Sequence, residues 1–545
     1  MKPGGAAQAG RPLCAFRQGS RDLDQSLIAP HQPALIGTLI APSRNCCMQT
    51  TASDAANGHL TGYGSPSYRH YVLVLLMLVY TLNFIDRTLI AVVAQPIIES
   101  FQLTDAQWGV LYGPPFAIFY AVMGLPIALW ADRSNRVHII GLCIVLWSIM
   151  TALCGVAIGF FTLLLFRIGV AIGEAGCTPP ANSLIGDYFI ARKRATALGV
   201  YSMGVTLGSV LANLFGGPIA QMQGADVGNW LSGIGLGWLF GGLDWANIEG
   251  WRVAFVAVGL PGVLVAWLVW ASIKEPPRGY SDPPSQTADR APDWSETFAE
   301  LRRKPSFWWM AIAASLVAFV GYGLISFQAP FLQREHGLSV RDAALQFGAP
   351  LSLLAAMGTF LGGYITERLT DRSPTAMAWV PALGIALAVP AYAAAFFSDD
   401  LTVVFVLWGI GAVFHYSYLG AQYNIGQGVV SNRARATAIA VLLILVSLIG
   451  NGIGPYFVGF MSDFFMQREL LSLDPSTLLS PEACKAIDMV RSMADDALCR
   501  SANSTGLKFA MAVTASIFLL ASACFLMCAR TLQQDFVAEL GQSKG

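Results

Sequence analysis

Charge is what this chain has least of. Only 12% of its 545 residues are Asp, Glu, Lys or Arg, about half of the ~25% found in an ordinary soluble domain, which excludes a water-soluble enzyme. The 33 basic and 33 acidic side chains cancel, so no positive excess is available to neutralise a phosphate backbone, and nucleic acid is not an expected partner. Cysteine is sparse and unclustered: ten residues, no CxxC pair and no Cys/His group at ligand spacing. That argues against a structural zinc site or a disulfide framework. There is no HExxH, no GxxxxGK[ST] and no persuasive Ser/His/Asp set. No catalytic centre, no metal, no cofactor and no ATP-driven step is therefore expected within this chain.

What is abundant is apolar surface, with 55% hydrophobic residues. A helix crosses the ~30 Å hydrocarbon layer with ~20 such residues, because only an internally hydrogen-bonded backbone is tolerated there. Twelve segments qualify: 71–95, 108–131, 137–158, 161–186, 195–221, 251–272, 307–332, 343–367, 376–397, 401–429, 434–464 and 507–529. The glycine-rich run 227–243 is short and bracketed by Asp226 and Asp244. Counting it as a span would invert every later loop. With twelve spans, fifteen Arg and Lys from Arg133 to Arg435 lie on the side of the N-terminus, against Arg252, Arg334 and Arg341 on the other. That asymmetry places both termini in the cytoplasm and makes 227–243 an external hairpin or interfacial segment. Residues 464–506 read as the longest outside segment, polar and helix-prone, holding Cys484 and Cys499, able to pair in an oxidising compartment or to remain thiols. The first 69 residues read as a disordered tail or as an extension upstream of a start at Met48.

The chain repeats itself. ArgLysArgAlaThrAla at 192–197 returns as ArgAlaArgAlaThrAla at 433–438, and AlaLeuTrpAlaAspArg at 128–133 is echoed by GlyTyrIleThrGluArg at 363–368. A proline-rich polar stretch separates the copies. The expected organisation is a tail 1–69, a six-helix bundle 70–275, a cytoplasmic linker 276–305, a second six-helix bundle 306–530 and a C-terminal tail 531–545.

With AspArgSerAsnArg at 132–136 after the second segment, ArgIleGlyValAlaIleGlyGlu at 167–174 in the fourth and a glycine-rich fifth, this plan resembles the major facilitator superfamily. AsnPheIleAspArg at 83–87, SerLeuIleGlyAspTyrPhe closing the fourth segment and TrpArgValAlaPhe at 251–255 resemble, more narrowly, the spinster-like lipid transporters. Asn135 and Ala128 depart from the glycines usual in the loop motif. The resemblance implies an all-α, twelve-helix membrane protein of two pseudo-symmetric bundles, multi-pass in the cell membrane, carrying a small amphiphile such as a lysophospholipid or sphingosine phosphate. It also implies a gate at the cytoplasmic edge, with Asp132 facing the start of helix 11 and Arg133, Arg136, Glu367 and Arg368 around it.

Four ionisable residues stand inside apolar runs: Asp86 and Arg87 in the first, Arg167 and Glu174 in the fourth. Each costs ~2.5–3.5 kcal/mol at a span centre, so such a cluster asks for a function. Counting ~1.5 Å per residue from the membrane edges puts Asp86 level with Arg167, predicting an ion pair between them with Glu174 nearer the cytoplasm. Asp86 and Glu174 are the expected proton-coupling carboxylates. The second half places His415 where the repeat would put Glu174, beside Trp408, Tyr416, Tyr418, Gln422 and Tyr423, with Tyr322, Phe327 and Gln328 in the seventh segment. A charged wall facing an aromatic wall suits an anionic amphiphile, with Asn83, Arg87, Arg167, Tyr322, Trp408, His415 and Tyr418 as candidate contacts. The expected protein is a monomeric, proton-coupled carrier. A symporter of small organic anions, or a multidrug exporter, is the alternative.

Overall fold

In the computed structural model the described residues are 61–233, 238, 244–282, 294–431, 434–475, 479–485 and 492–536. The N-terminal tail before residue 61, Arg290, Arg433 and most of 234–243 lie outside them.

Twelve helices are long and apolar enough to span a membrane: α1 Pro66–Val92, α2 Asp105–Arg133, α3 Arg136–Cys154, α4 Phe160–Tyr188, α5 Ala191–Gln221, α6 Gly250–Ser272, α7 Pro305–His336, α8 Val340–Thr370, α9 Ala376–Phe396, α10 Leu401–Gly428, α11 Thr437–Leu473 and α12 Met493–Asp535. Each matches one of the twelve apolar runs. The starts carry local signals. Ser65 caps α1 through the Tyr68 amide, with Pro66 in the first turn, and Ser492 and Asp495 form a reciprocal capping box on α12. Pro179 and Pro180 end the first part of α4 below Glu174, and the helix resumes at Thr178 with proline in its opening turn.

At 43 residues, α12 extends about 65 Å, roughly twice the hydrocarbon thickness. Much of the expected outside loop is thus helix continuing past the membrane edge, pinned by a Cys484–Cys499 disulfide with Cα atoms 5.6 Å apart. Of the glycine-rich run, residues 227–233 lie in a helix, Gly224–Gly233, and most of 234–243 lies outside the described residues.

The face bearing the linker is called here the linker face, and the opposite one the distal face. Within the first bundle α5 lies against α1 through Gly204 and Gly208. A Cβ on Gly208 would stand 2.5 Å from the Thr81 carbonyl oxygen, so only glycine permits this approach. Gly208→Leu is expected to destabilise the bundle by about 1–3 kcal/mol, read as a lower melting temperature in detergent.

The two bundles meet backbone to backbone in the distal half. Cβ atoms added at Gly109 and Gly459 would fall 2.5 Å from the Pro455 oxygen and 2.0 Å from the Asp105 oxygen. Where α5 and α8 approach, both helices widen into π turns, at Ala212–Gly216 and Ala343–Gly348, and Asn213 fills the space beside Gly348. On the linker face, by contrast, Asp132 and Arg133 at the end of α2 and Glu367 and Arg368 near the end of α8 are all exposed. The space between the bundles opens toward the linker.

Candidate functional site

The charged residues of α1 and α4 do come together, with different partners from those their depths predict. Arg87 Nε donates to Glu174 Oε2 at 2.5 Å. Asp86 instead accepts a 3.0 Å hydrogen bond from Thr151 on α3 and makes no ion pair with Arg167. The reason is side-chain direction. A helix side chain leans toward its own N-terminus. Arg87 on ascending α1 therefore leans toward the linker face, and Glu174 on descending α4 leans away from it, so the two converge. Asp86 and Arg167 lean apart.

Arg167 is 3% exposed, and its contact is aromatic: the guanidinium lies 4.8 Å from the Phe116 ring centre on α2. Arg87 sits 5.3 Å from the same ring and 4.6 Å from Tyr120. One phenyl ring thus serves two cations, an arrangement worth more where water is excluded. Phe116 and Tyr120, four residues apart and stacked at 6.0 Å, went unrecognised in the sequence; their one signal there is the i, i+4 spacing on a single helix face. The site holds unspent hydrogen-bonding capacity, since Asn83 Nδ2, Arg167 Nε and Glu174 Oε1 are buried with no hydrogen bond of ordinary geometry, while Asn83 stands beside Glu174. The Glu174 side chain is fully buried, whereas Arg87 retains 19% exposure, so Arg87 is the member of the pair that reaches the open space.

Across the opening, Tyr322 on α7 lies within electrostatic range of Arg87. Deeper in the second bundle, His415 Nδ1 is 3.3 Å from the Tyr392 hydroxyl and its ring is parallel to that of Tyr418. Trp408 packs edge-on against Phe396 and Tyr392. Tyr418 and Phe327 are buried and act behind the wall, while Tyr423 is exposed.

The gate residues divide. Asp132, Arg133 and Glu367 have no ion-pair partner among the described residues, and Arg368 donates to the Tyr364 hydroxyl. Arg136 is turned into the first bundle, 1% exposed, where it donates to Asp187 at 2.5 Å and Glu275 at 2.6 Å. It ties α3 to α4 and to the start of the linker. Arg278 continues that attachment by donating to the carbonyls of Ala131 and Ser134 at the C-terminal end of α2.

A second charged assembly, on the distal face, went unnoticed because its members read as loop charges. Arg334 at the end of α7 donates to both oxygens of Asp105 at the start of α2, at 2.7 and 2.8 Å, and to Gln95 and Asn503. Ser462 donates to Asp105 as well. From the second bundle, Asp463 accepts the backbone amides of Asp105 and Ala106 at 3.1 and 2.8 Å, a carboxylate on a helix N-terminus. Lys485 stands 3.7 Å from Asp105. Burial, then Arg334, push its ammonium down to about 8, and the two short bonds from Arg334 make that guanidinium the principal partner of Asp105. These contacts join the two bundles where the site is closed.

Residues 76–455 match the Major Facilitator Superfamily. An MFS-type efflux pump of Mycolicibacterium smegmatis is 31% identical over 388 residues, 71% of this chain and 83% of the pump. Human protein spinster homolog 1 is 28% identical over 418 residues, 73% of this chain and 74% of that protein. A solved bacterial homolog of the human lysosomal transporter Spinster, inward-facing and unoccupied, is 54% identical and covers 87% of this chain and 100% of its own, with a TM-score of 0.81. A D-xylose–proton symporter, 15% identical with a TM-score of 0.59, shares the fold. Two six-helix bundles, closed at one face and parted at the other around buried charges, are thus matched by sequence and structure alike: the chain belongs to the Major Facilitator Superfamily and is, within it, a spinster-like multi-pass membrane transporter that works by alternating access and not an enzyme.

Proposed function

We propose that this carrier moves an anionic amphiphile, of the lysophospholipid or sphingosine-phosphate kind, together with protons. The observation that carries the reading is the Arg87–Glu174 pair, set beside a second guanidinium, Arg167, that lies in electrostatic range of Asp86 and Glu174 and forms no ion pair with a described residue. In this reading the linker face is cytoplasmic, the membrane is the cell membrane and the monomer is the working unit.

Protonation of Glu174 cancels the charge that holds Arg87 and leaves that guanidinium available. An anionic head then lodges between Arg87 and Arg167, with Asn83 and the Tyr322 hydroxyl as further donors. The apolar chain runs along the face of the second bundle, with Trp408, His415 and Tyr418 buried behind that wall. Proton and anion therefore load together. When the bundles rock and the other face opens, the head departs, Arg87 recaptures Glu174 and the proton leaves. Asp86, held by Thr151, is the second carboxylate available to protons. As the linker face closes, Asp132 and Arg133 on one bundle approach Glu367 and Arg368 on the other.

The test is uptake of labelled lysophospholipids and small organic anions into vesicles holding purified protein, with and without a pH gradient. Saturable counterflow, accelerated when the cargo side is acid, supports the reading. Indifference to the gradient defeats the coupling. Arg167→Gln is expected to raise KM for the anionic amphiphile about 10- to 100-fold, the scale of one lost charged hydrogen bond, with kcat little altered. The likeness to the mycobacterial efflux pump favours a second reading, a multidrug exporter; competition by uncharged drugs but not by lysolipids selects it.

A further inference from the structure

Between α7, α8, α9 and α10 of the second bundle lies a cavity of ≈ 70 Å³, more than one small polar group or water needs. Gln328, Ser352, Tyr392, His415 and Tyr416 supply its polar atoms, and none of its lining residues carries a carboxylate, ammonium or guanidinium. Gln328 Nε2 is buried with no hydrogen-bond partner, a vacancy that costs about 1–3 kcal/mol unless something accepts from it. The Tyr392 hydroxyl engages His415 Nδ1 and so fixes the ring. Its other nitrogen faces Gly321, where a Cβ would come within 3.0 Å of Nε2; glycine leaves that nitrogen uncovered. Tyr416 borders the cavity and also lies in electrostatic range of Tyr322 and Tyr112, which are themselves in electrostatic range of Arg87.

We propose that this chamber is a second subsite of the carrier, taking a neutral hydrogen-bonding group of the cargo, a hydroxyl or amide, with Gln328 donating to it and His415 and Tyr416 completing its hydrogen bonds. A charged group is excluded, because it would be buried without a counter-charge. An apolar group is disfavoured, because it would leave Gln328 orphaned. The cargo is then an amphiphile with two polar points, an anionic head held by Arg87 and Arg167 and an uncharged polar group set apart from it. This specificity rests on the anionic-amphiphile reading above.

Uptake of dodecylglycerol phosphate is to be compared with that of 3-(dodecyloxy)propyl phosphate, which lacks only the hydroxyl. The expected result is a preference of about tenfold in kcat/KM for the hydroxylated cargo, erased in Gln328→Met and in Gly321→Ala, which crowds His415. Equal uptake of the two by the unaltered protein, or equal losses for both in the variants, overturns the subsite. If neither phosphate is carried, the anionic reading falls, and a neutral pair decides the chamber separately. Dodecylglycerol should raise the melting temperature more than its dimethyl ether does, and this difference should vanish in Gln328→Met. Equal shifts overturn the proposal.

Discussion

Glu174→Gln is expected to abolish uphill movement driven by a pH gradient while leaving counterflow of cargo intact. Glutamine has the shape of the protonated acid and cannot ionise, so it holds the site permanently in the state the proposed cycle visits only when a proton is bound. Arg87 would then be released at every pH, and binding of the anion would become insensitive to pH. Concentrative uptake should fall to simple equilibration, a loss of at least one to two decades in the accumulation ratio, since an imposed gradient of two pH units is worth about 2.7 kcal/mol per proton. The measurement is the steady-state ratio of labelled lysolipid inside and outside vesicles with the acid side set in turn. Retention of gradient-driven accumulation would remove Glu174 from the coupling, and Asp86→Asn would then be the variant to test in its place. Arg87→Gln should behave differently: it removes a donor to the anion itself and should weaken binding with or without a gradient.

Breaking the distal assembly should move the conformational equilibrium instead of the chemistry of the site. Arg334→Gln leaves Asp105 buried without its bidentate partner, a loss of about 3–5 kcal/mol when one member of a buried pair is removed. The loss is felt only while the distal face is closed, because opening that face hydrates both groups. The expected shift toward the distal-open state is therefore of order 100- to 5000-fold, at 1.36 kcal/mol per decade. Backbone amide exchange at residues 105–113 and 452–459 should rise accordingly, while exchange around 167–174 stays as before. The double variant Asp105→Asn with Arg334→Gln removes the stranded charge and should recover much of the closed population. No rise in exchange in the single variant would show that the backbone packing around Gly109 and Gly459 holds the face shut without help from the charges.

Much of this architecture is legible from the order of residues. Twelve apolar runs of membrane length can only be helices, since a backbone in hydrocarbon must satisfy its own hydrogen bonds. The echo of ArgLysArgAlaThrAla in ArgAlaArgAlaThrAla marks two related halves, and Asp86, Arg87, Arg167 and Glu174 stand out because charges are costly where they lie. Spacing along a helix also marks the residues that share a face. What it leaves open is which neighbours meet, because that depends on lean and tilt across separate helices. Depth alone pairs Asp86 with Arg167; the opposed directions of α1 and α4 pair Arg87 with Glu174 instead. Phe116 carries no mark in the linear pattern to show that it lies under both guanidinium groups. Asp105 and Arg334, 229 residues apart, look like ordinary loop charges at the ends of apolar runs until packing of the two bundles buries them together. Composition and periodicity are properties of one segment and report what each segment must be; partner choice, the closed distal face and the small polar chamber beside His415 are properties of several segments at once, and only their packing in three dimensions creates them.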